Sequence, residues 1–99
     1  MQTIPANLPS VIIIEDDLYM QGIISQCLSE SFSTSVFNDG IDALAYLQEG
    51  NIPDIIISDL NIPNLNGMQF LEQVRSSGFF SSIPVVILSG VESTDTRTE

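Results

Sequence analysis

Three acidic side chains set the chemistry open to this chain. Glu15 and Asp16 follow the β-branched run Val11-Ile12-Ile13-Ile14, and Asp59 follows Ile55-Ile56-Ile57 after one serine. Each has an ordinary explanation when taken alone. An acidic run after a strand suits the positive end of a following helix. The stretch Asp59-Leu60-Asn61-Ile62-Pro63-Asn64-Leu65-Asn66-Gly67 suits a turn residue by residue. Gathered in one crevice, however, like charges ~4 Å apart cost roughly 1 kcal/mol in water and about 4 at an effective dielectric of 20. Something positive must then sit among them. Arg75 falls within a helical stretch and Arg97 near the end of the chain, and these are the only basic side chains. An oxygen-liganded divalent cation is the natural partner, and few protein ligands with several waters suit Mg²⁺ or Mn²⁺.

The elements between these acids decide whether they meet. Residues 1–10 carry Pro5 and Pro9 and read as a flexible lead-in, with the fold proper over 11–99. Val11 to Ile14, Ile55 to Ile57 and Val85 to Leu88 are continuous apolar runs of the kind buried on both faces of a parallel sheet. Ile23, Ile24, Cys27 and Leu28 recur at helical spacing after Asp16-Asp17, which predicts a first helix with a buried Cys27 thiol. Ser33 to Phe37 reads as a short strand. Ile41, Ala43, Leu44 and Leu47 form the apolar face of a second helix ending at Gly50, and Met68, Leu71 and Val74 that of a third. Pro84 opens the last strand.

The order βαβαβαβ with short loops predicts an α/β doubly wound fold, three layers with a parallel sheet in the middle. Ligands in such folds bind beyond the carboxyl ends of the strands where the strand order reverses. That places Glu15, Asp16 and Asp59 together.

Composition narrows the partners. A formal charge of -11 repels nucleic acid phosphates and anionic lipid, so no direct nucleic-acid or membrane binding is expected. No apolar run approaches the length of a membrane span or a signal h-region, and a cytoplasmic location is expected. With one cysteine and no histidine, neither an internal disulfide nor a zinc site can be assembled.

From Val11 to Gly90 these residues resemble the receiver domains of two-component response regulators. Glu15-Asp16 is similar to the family's acidic pair. Asp59-Leu60-Asn61-Ile62-Pro63 with Asn66-Gly67 is similar to its phosphoacceptor loop, and Ser89-Gly90 to its switch-hydroxyl position. The spacings also resemble the family's, 43 residues from Asp16 to Asp59 and 30 from Asp59 to Ser89. The resemblance implies a flavodoxin-like sheet of order 2-1-3-4, with Asp59 as phosphoacceptor and Ser89 as the hydroxyl that bonds the phosphoryl group. It implies Glu15, Asp16, Asp59 and the Asn61 backbone carbonyl as ligands of Mg²⁺ or Mn²⁺. It implies a histidine kinase or phosphotransfer protein as donor, an output domain in the parent chain, and phosphorelay signalling rather than enzymatic turnover. Leu88-Ser89-Gly90-Val91-Glu92 resembles receivers that precede cyclic-di-GMP phosphodiesterase domains.

Two departures stand out. The chain has no lysine, whereas the family places one at the end of its fifth strand, and after Gly90 the sequence is too short for that strand and the fifth helix. A domain incomplete at its carboxyl end is therefore expected, with self-association through the exposed fourth strand. Two rival functions follow. One is a degenerate receiver that binds protein without phosphotransfer. The other is a haloacid-dehalogenase-type phosphatase, which wants a second Asp two residues after the nucleophile where this chain has Asn61.

Overall fold

The computed structural model describes residues 8–62 and 64–88. Four strands and three helices alternate: β1 (Ser10–Ile14), α1 (Leu18–Leu28), β2 (Ser33–Phe37), α2 (Gly40–Gln48), β3 (Ile55–Asp59), α3 (Gly67–Ser76) and β4 (Val85–Leu88). The strands form one sheet of order β2-β1-β3-β4, and every pairing is parallel. This is the expected 2-1-3-4 arrangement. The first strand begins one residue earlier than the sequence suggests, because Ser10 pairs with Ser33 and its amide donates to the Asp54 carboxylate at 2.7 Å.

Strand alternation divides the apolar residues between the two faces. Ile12, Ile14 and Ile56 join Ala43 and Leu47 of α2 and Phe70 and Val74 of α3 in one core, and Ile62, Phe80 and Ile83 close it from the loops. Val11 and Ile13 fall on the opposite face, where α1 lies against β1 and β2, and both are buried. β1 is thus buried on both sides, as its four-residue apolar run requires. α2 stops before Gly50, whose φ of 102° turns the chain out of the helix.

Four expectations about burial need correction. Cys27 is exposed, and α1 has no fully buried residue, because α1 rests on the sheet by one side while no other described element covers it. Ile41 and Met68 are each 50% exposed, since both stand in the first turn of a helix, beyond the reach of the sheet. The buried side chains of α3 are Phe70 and Val74, a pair spaced by four, with Leu71 only partly covered. β4 is not enclosed either, for Val86 is 43% exposed and β4 pairs with β3 alone among the described residues.

Candidate functional site

Glu15 is the first residue past β1, and its amide still continues the ladder by donating to the Phe37 carbonyl at 2.9 Å. That bond holds it in the sheet layer, where its side chain is only 4% exposed. One carboxylate oxygen accepts from the Asp17 amide at 3.0 Å. Asp17 in turn caps α1 by accepting from the Tyr19 amide at 3.0 Å, leaving Asp16 exposed between a buried acid and a helix cap. The acidic run thus divides its labour: Asp17 starts the helix, and Glu15 and Asp16 face the crevice.

Asp59 ends β3. Its register partner is Leu88, and the next amide, Leu60, donates to the Leu88 carbonyl at 3.0 Å, so the carboxyl end of β4 lies beside it. Ser89, the expected switch hydroxyl, comes directly after Leu88 in sequence but lies outside the described residues, as do Gly90 and Pro63. Asn61 is described, exposed, and sits two residues past Asp59 in the loop that leads to α3. That loop is closed by the Gly67 amide donating to the Leu60 carbonyl at 2.9 Å. Asn66 caps α3 in a reciprocal box with Gln69, at 2.9 and 3.0 Å. Gly67 must be small. A Cβ there would stand 2.6 Å from the Asp59 carbonyl oxygen and 3.0 Å from the Leu60 Cα.

Glu15, Asp16 and Asp59 each present a carboxylate oxygen within 4.8 Å of the others. These are the three acids that the sequence places at the strand ends. Burial raises the Glu15 carboxyl above its ordinary value, and the neighbouring charges of Asp59, Asp16 and Asp17 push the same way against the bond from the Asp17 amide. The described arginine, Arg75, is turned to the far end of the sheet, its guanidinium donating to the carbonyls of Ser81 and Ile83 at 3.0 and 2.8 Å. A half-exposed set of three hard oxygen donors, one of them driven towards protonation by burial and then by its acidic neighbours, fits a small divalent cation.

Several residues around the site were not foreseen. Ser58 is fully buried beneath it, its hydroxyl donating to the Asp59 carbonyl at 2.9 Å. Gln21 donates to the Glu15 carbonyl and, at 2.6 Å, to Asn38. Asp39 accepts from Asn64 across the top of the core. All are contacts across the fold or one-residue backbone bonds, which no periodicity or spacing signals.

The family model for the response regulator receiver domain matches residues 11–99. The chain is 36% identical over 84 residues to the sensor histidine kinase TmoS of Ectopseudomonas mendocina, covering 85% of this chain and 8% of that protein. Among solved structures, the chemotaxis response regulator CheY4 of Vibrio cholerae superposes with a TM-score of 0.80 at 26% identity, over 92% of this chain and 76% of that one. The Mn²⁺-bound form of response regulator Rcp1 superposes with a TM-score of 0.78 at 26% identity, over 89% and 70%. The chain thus spans a small part of its curated relative and about three quarters of solved receivers. Parallel sheet, strand-end acids and family match agree: this chain belongs to the response regulator receiver domain family.

Proposed function

We propose that this domain accepts a phosphoryl group on Asp59 with Mg²⁺ or Mn²⁺ bound by Glu15, Asp16, Asp59 and the Asn61 carbonyl, and signals by phosphorelay without enzymatic turnover. The observation that carries the reading is the convergence of Glu15, Asp16 and Asp59 within 4.8 Å at the carboxyl ends of β1 and β3. A bound cation supplies neutralisation of the charge on nucleophile and donor. An Asp59 carboxylate oxygen forms the bond to phosphorus while the donor's leaving group departs with its electron pair. The product adds ~1.5 to 2 negative charges to a pocket already rich in carboxylates, and Ser89, the next residue in sequence after β4, is the hydroxyl suited to meet it. Asn61 in place of a second aspartate disfavours hydrolytic turnover.

A histidine kinase or phosphotransfer protein is the donor class that fits, as the relationship to a sensor histidine kinase supports. An output domain, with a cyclic-di-GMP phosphodiesterase as the specific candidate, would receive the signal. The site is cytoplasmic in this reading; no helix among the described residues is long and apolar enough to cross a membrane. Incubation with a small-molecule phosphodonor and Mg²⁺ tests the proposal. Stable label lost in Asp59→Ala supports it, at a low level because the chain has no lysine to pair with the phosphoryl group. Continuous phosphate release points to a phosphatase, and no label points to a binding module without phosphotransfer.

A further inference from the structure

We infer that Asp39 and Asn64 are positioning residues for the metal site, the hydrogen bond between them tying the β2–α2 loop to the β3–α3 loop that follows Asp59. The inference rests on the metal reading proposed above. Asp39 is the N-cap of α2. One of its oxygens accepts from the amides of Ile41 and Asp42 at 2.7 and 3.3 Å, which fixes the carboxylate on the helix end. Its other oxygen accepts from the Asn64 side-chain amide. The helix holds one oxygen and the site loop is held by the other.

The loop's own geometry points the same way. Asn64 has a φ of 71°, a left-handed conformation that glycine would adopt most cheaply. The chain instead places there a side chain that reaches across to Asp39. The loop is also seated tightly on α2, for a Cβ at Gly40 would come within 2.6 Å of the Leu65 carbonyl oxygen. On the other side, Asn38 accepts from Gln21 at 2.6 Å, and the same Gln21 amide nitrogen donates to the Glu15 carbonyl. Residues 38 and 39 are therefore linked to both ligand-bearing segments, through Gln21 to the backbone of Glu15 and directly to the loop beyond Asp59. Asn64's bond holds the Asp39 carboxyl below its usual range, as expected of an ionised acceptor.

A bond of this kind contributes about 0.5–1.5 kcal/mol net, so its loss should weaken metal binding about two- to tenfold if it positions the loop. The test is an Mn²⁺ titration of the full chain followed by electron paramagnetic resonance, with urea unfolding of the metal-free protein measured in parallel. Asn64→Gly keeps the backbone conformation and the net charge but removes the bond; weaker Mn²⁺ binding is expected. The exchange Asp39→Asn with Asn64→Asp keeps the net charge, retains a good helix cap and rebuilds the bond with donor and acceptor reversed. Its Mn²⁺ affinity should return to that of the parent. A merely structural bond would move the urea midpoint and leave the affinity of the folded chain alone. Unchanged affinity in Asn64→Gly, or an exchange variant that binds no better than Asn64→Gly, overturns the inference. Asp16→Asn separates the two layers: if it binds Mn²⁺ as the parent does, or the parent binds none, the metal reading itself fails.

Discussion

Gly67→Ala and Gly22→Ala are the same chemical change on two helices, and the structure gives them opposite signs. Gly22 lies inside α1, where an added Cβ meets nothing within 4 Å. Alanine there removes the backbone entropy cost of a mid-helix glycine, a gain of about 0.5–1 kcal/mol. Gly67 opens α3, where the added Cβ would stand 2.6 Å from the Asp59 carbonyl oxygen and 3.0 Å from the Leu60 Cα. Both obstacles are backbone, held by the β3–β4 ladder and by the bond from the Gly67 amide to Leu60, so neither can swing aside as a side chain would. Overpacking of this kind costs about 1–3 kcal/mol, and the helix-propensity gain is smaller, leaving a net loss of about 1–2 kcal/mol. Urea unfolding by circular dichroism measures both, with parent and variants at one protein concentration because self-association would couple stability to concentration. For a domain of this size 1 kcal/mol corresponds to roughly 4–8 °C in Tm, well within resolution. A Gly67→Ala variant as stable as the parent would refute the claim that α3 is docked directly on the backbone of Asp59, and a Gly22→Ala variant less stable than the parent would refute the open space at Gly22.

Asp16→Asn should weaken Mg²⁺ binding by removing a ligand, whereas Asp17→Asn should change it much less, since asparagine caps α1 as well as aspartate does; equal losses in a calorimetric titration would contradict the division of roles. Metal affinity should climb as pH rises from the ordinary glutamate value of 4.5 through the raised Glu15 value and then level off, because the cation competes with the proton. The metal-free fold behaves oppositely: a raised carboxyl contributes stability that is full below 4.5 and is lost as pH rises through the folded-state value; a metal-free chain that gains stability across that window would show Glu15 to be ionised without penalty. Sedimentation at micromolar concentration should show species larger than 10.8 kDa, strengthened by salt because each copy carries a charge of -11, and Val86→Lys should reduce them. A salt-independent monomer would remove the β4 edge as an association surface.

The sheet was legible in the sequence because its signal is local. Four β-branched residues in a row can be satisfied only by a strand covered on both faces, and β1 is that strand. The three acids were legible for a related reason: once the strands are parallel, their carboxyl ends coincide, and residues that follow them must meet. What the sequence misstated depends on neighbours. Cys27 has helical spacing from other apolar residues, yet burial requires a second element on that side of α1, which spacing cannot report. On α3, Met68-Leu71-Val74 and Phe70-Val74 are both regular helical rows; the position of β3 and β4 decides that the second is inside. Ile62, Phe80 and Ile83 close the core from loops, where no periodicity exists to mark them. The Asp39 to Asn64 bond joins residues 25 positions apart and has no local signature at all.

The site and the fold pull against each other at one residue. Glu15 continues the β1 ladder through its amide, so the backbone that builds the sheet forces its carboxylate into a nearly closed position beside two other acids. A leucine there would bury apolar surface without penalty and would remove the charge conflict. The chain instead keeps an acid whose ionisation is opposed by burial and by Asp59, Asp16 and Asp17, and it surrounds that acid with hydrogen-bond partners: the Asp17 amide on its carboxylate, the Gln21 side-chain amide on its carbonyl, the Phe37 carbonyl on its amide. Rigid placement of a disfavoured charge is costly in a fold that only has to be stable, and useful in one that has to bind a cation, because the ligand then need not organise the donors it neutralises. The same logic accounts for Gly67, where α3 comes so close to Asp59 that no side chain fits, and for Ser58, a hydroxyl buried to fix the Asp59 carbonyl. Hydrogen bonds and close backbone contacts thus hold the segments that carry the three acids, and under the proposed function that placement would let a phosphoryl group on Asp59 act on the end of β4 beside it.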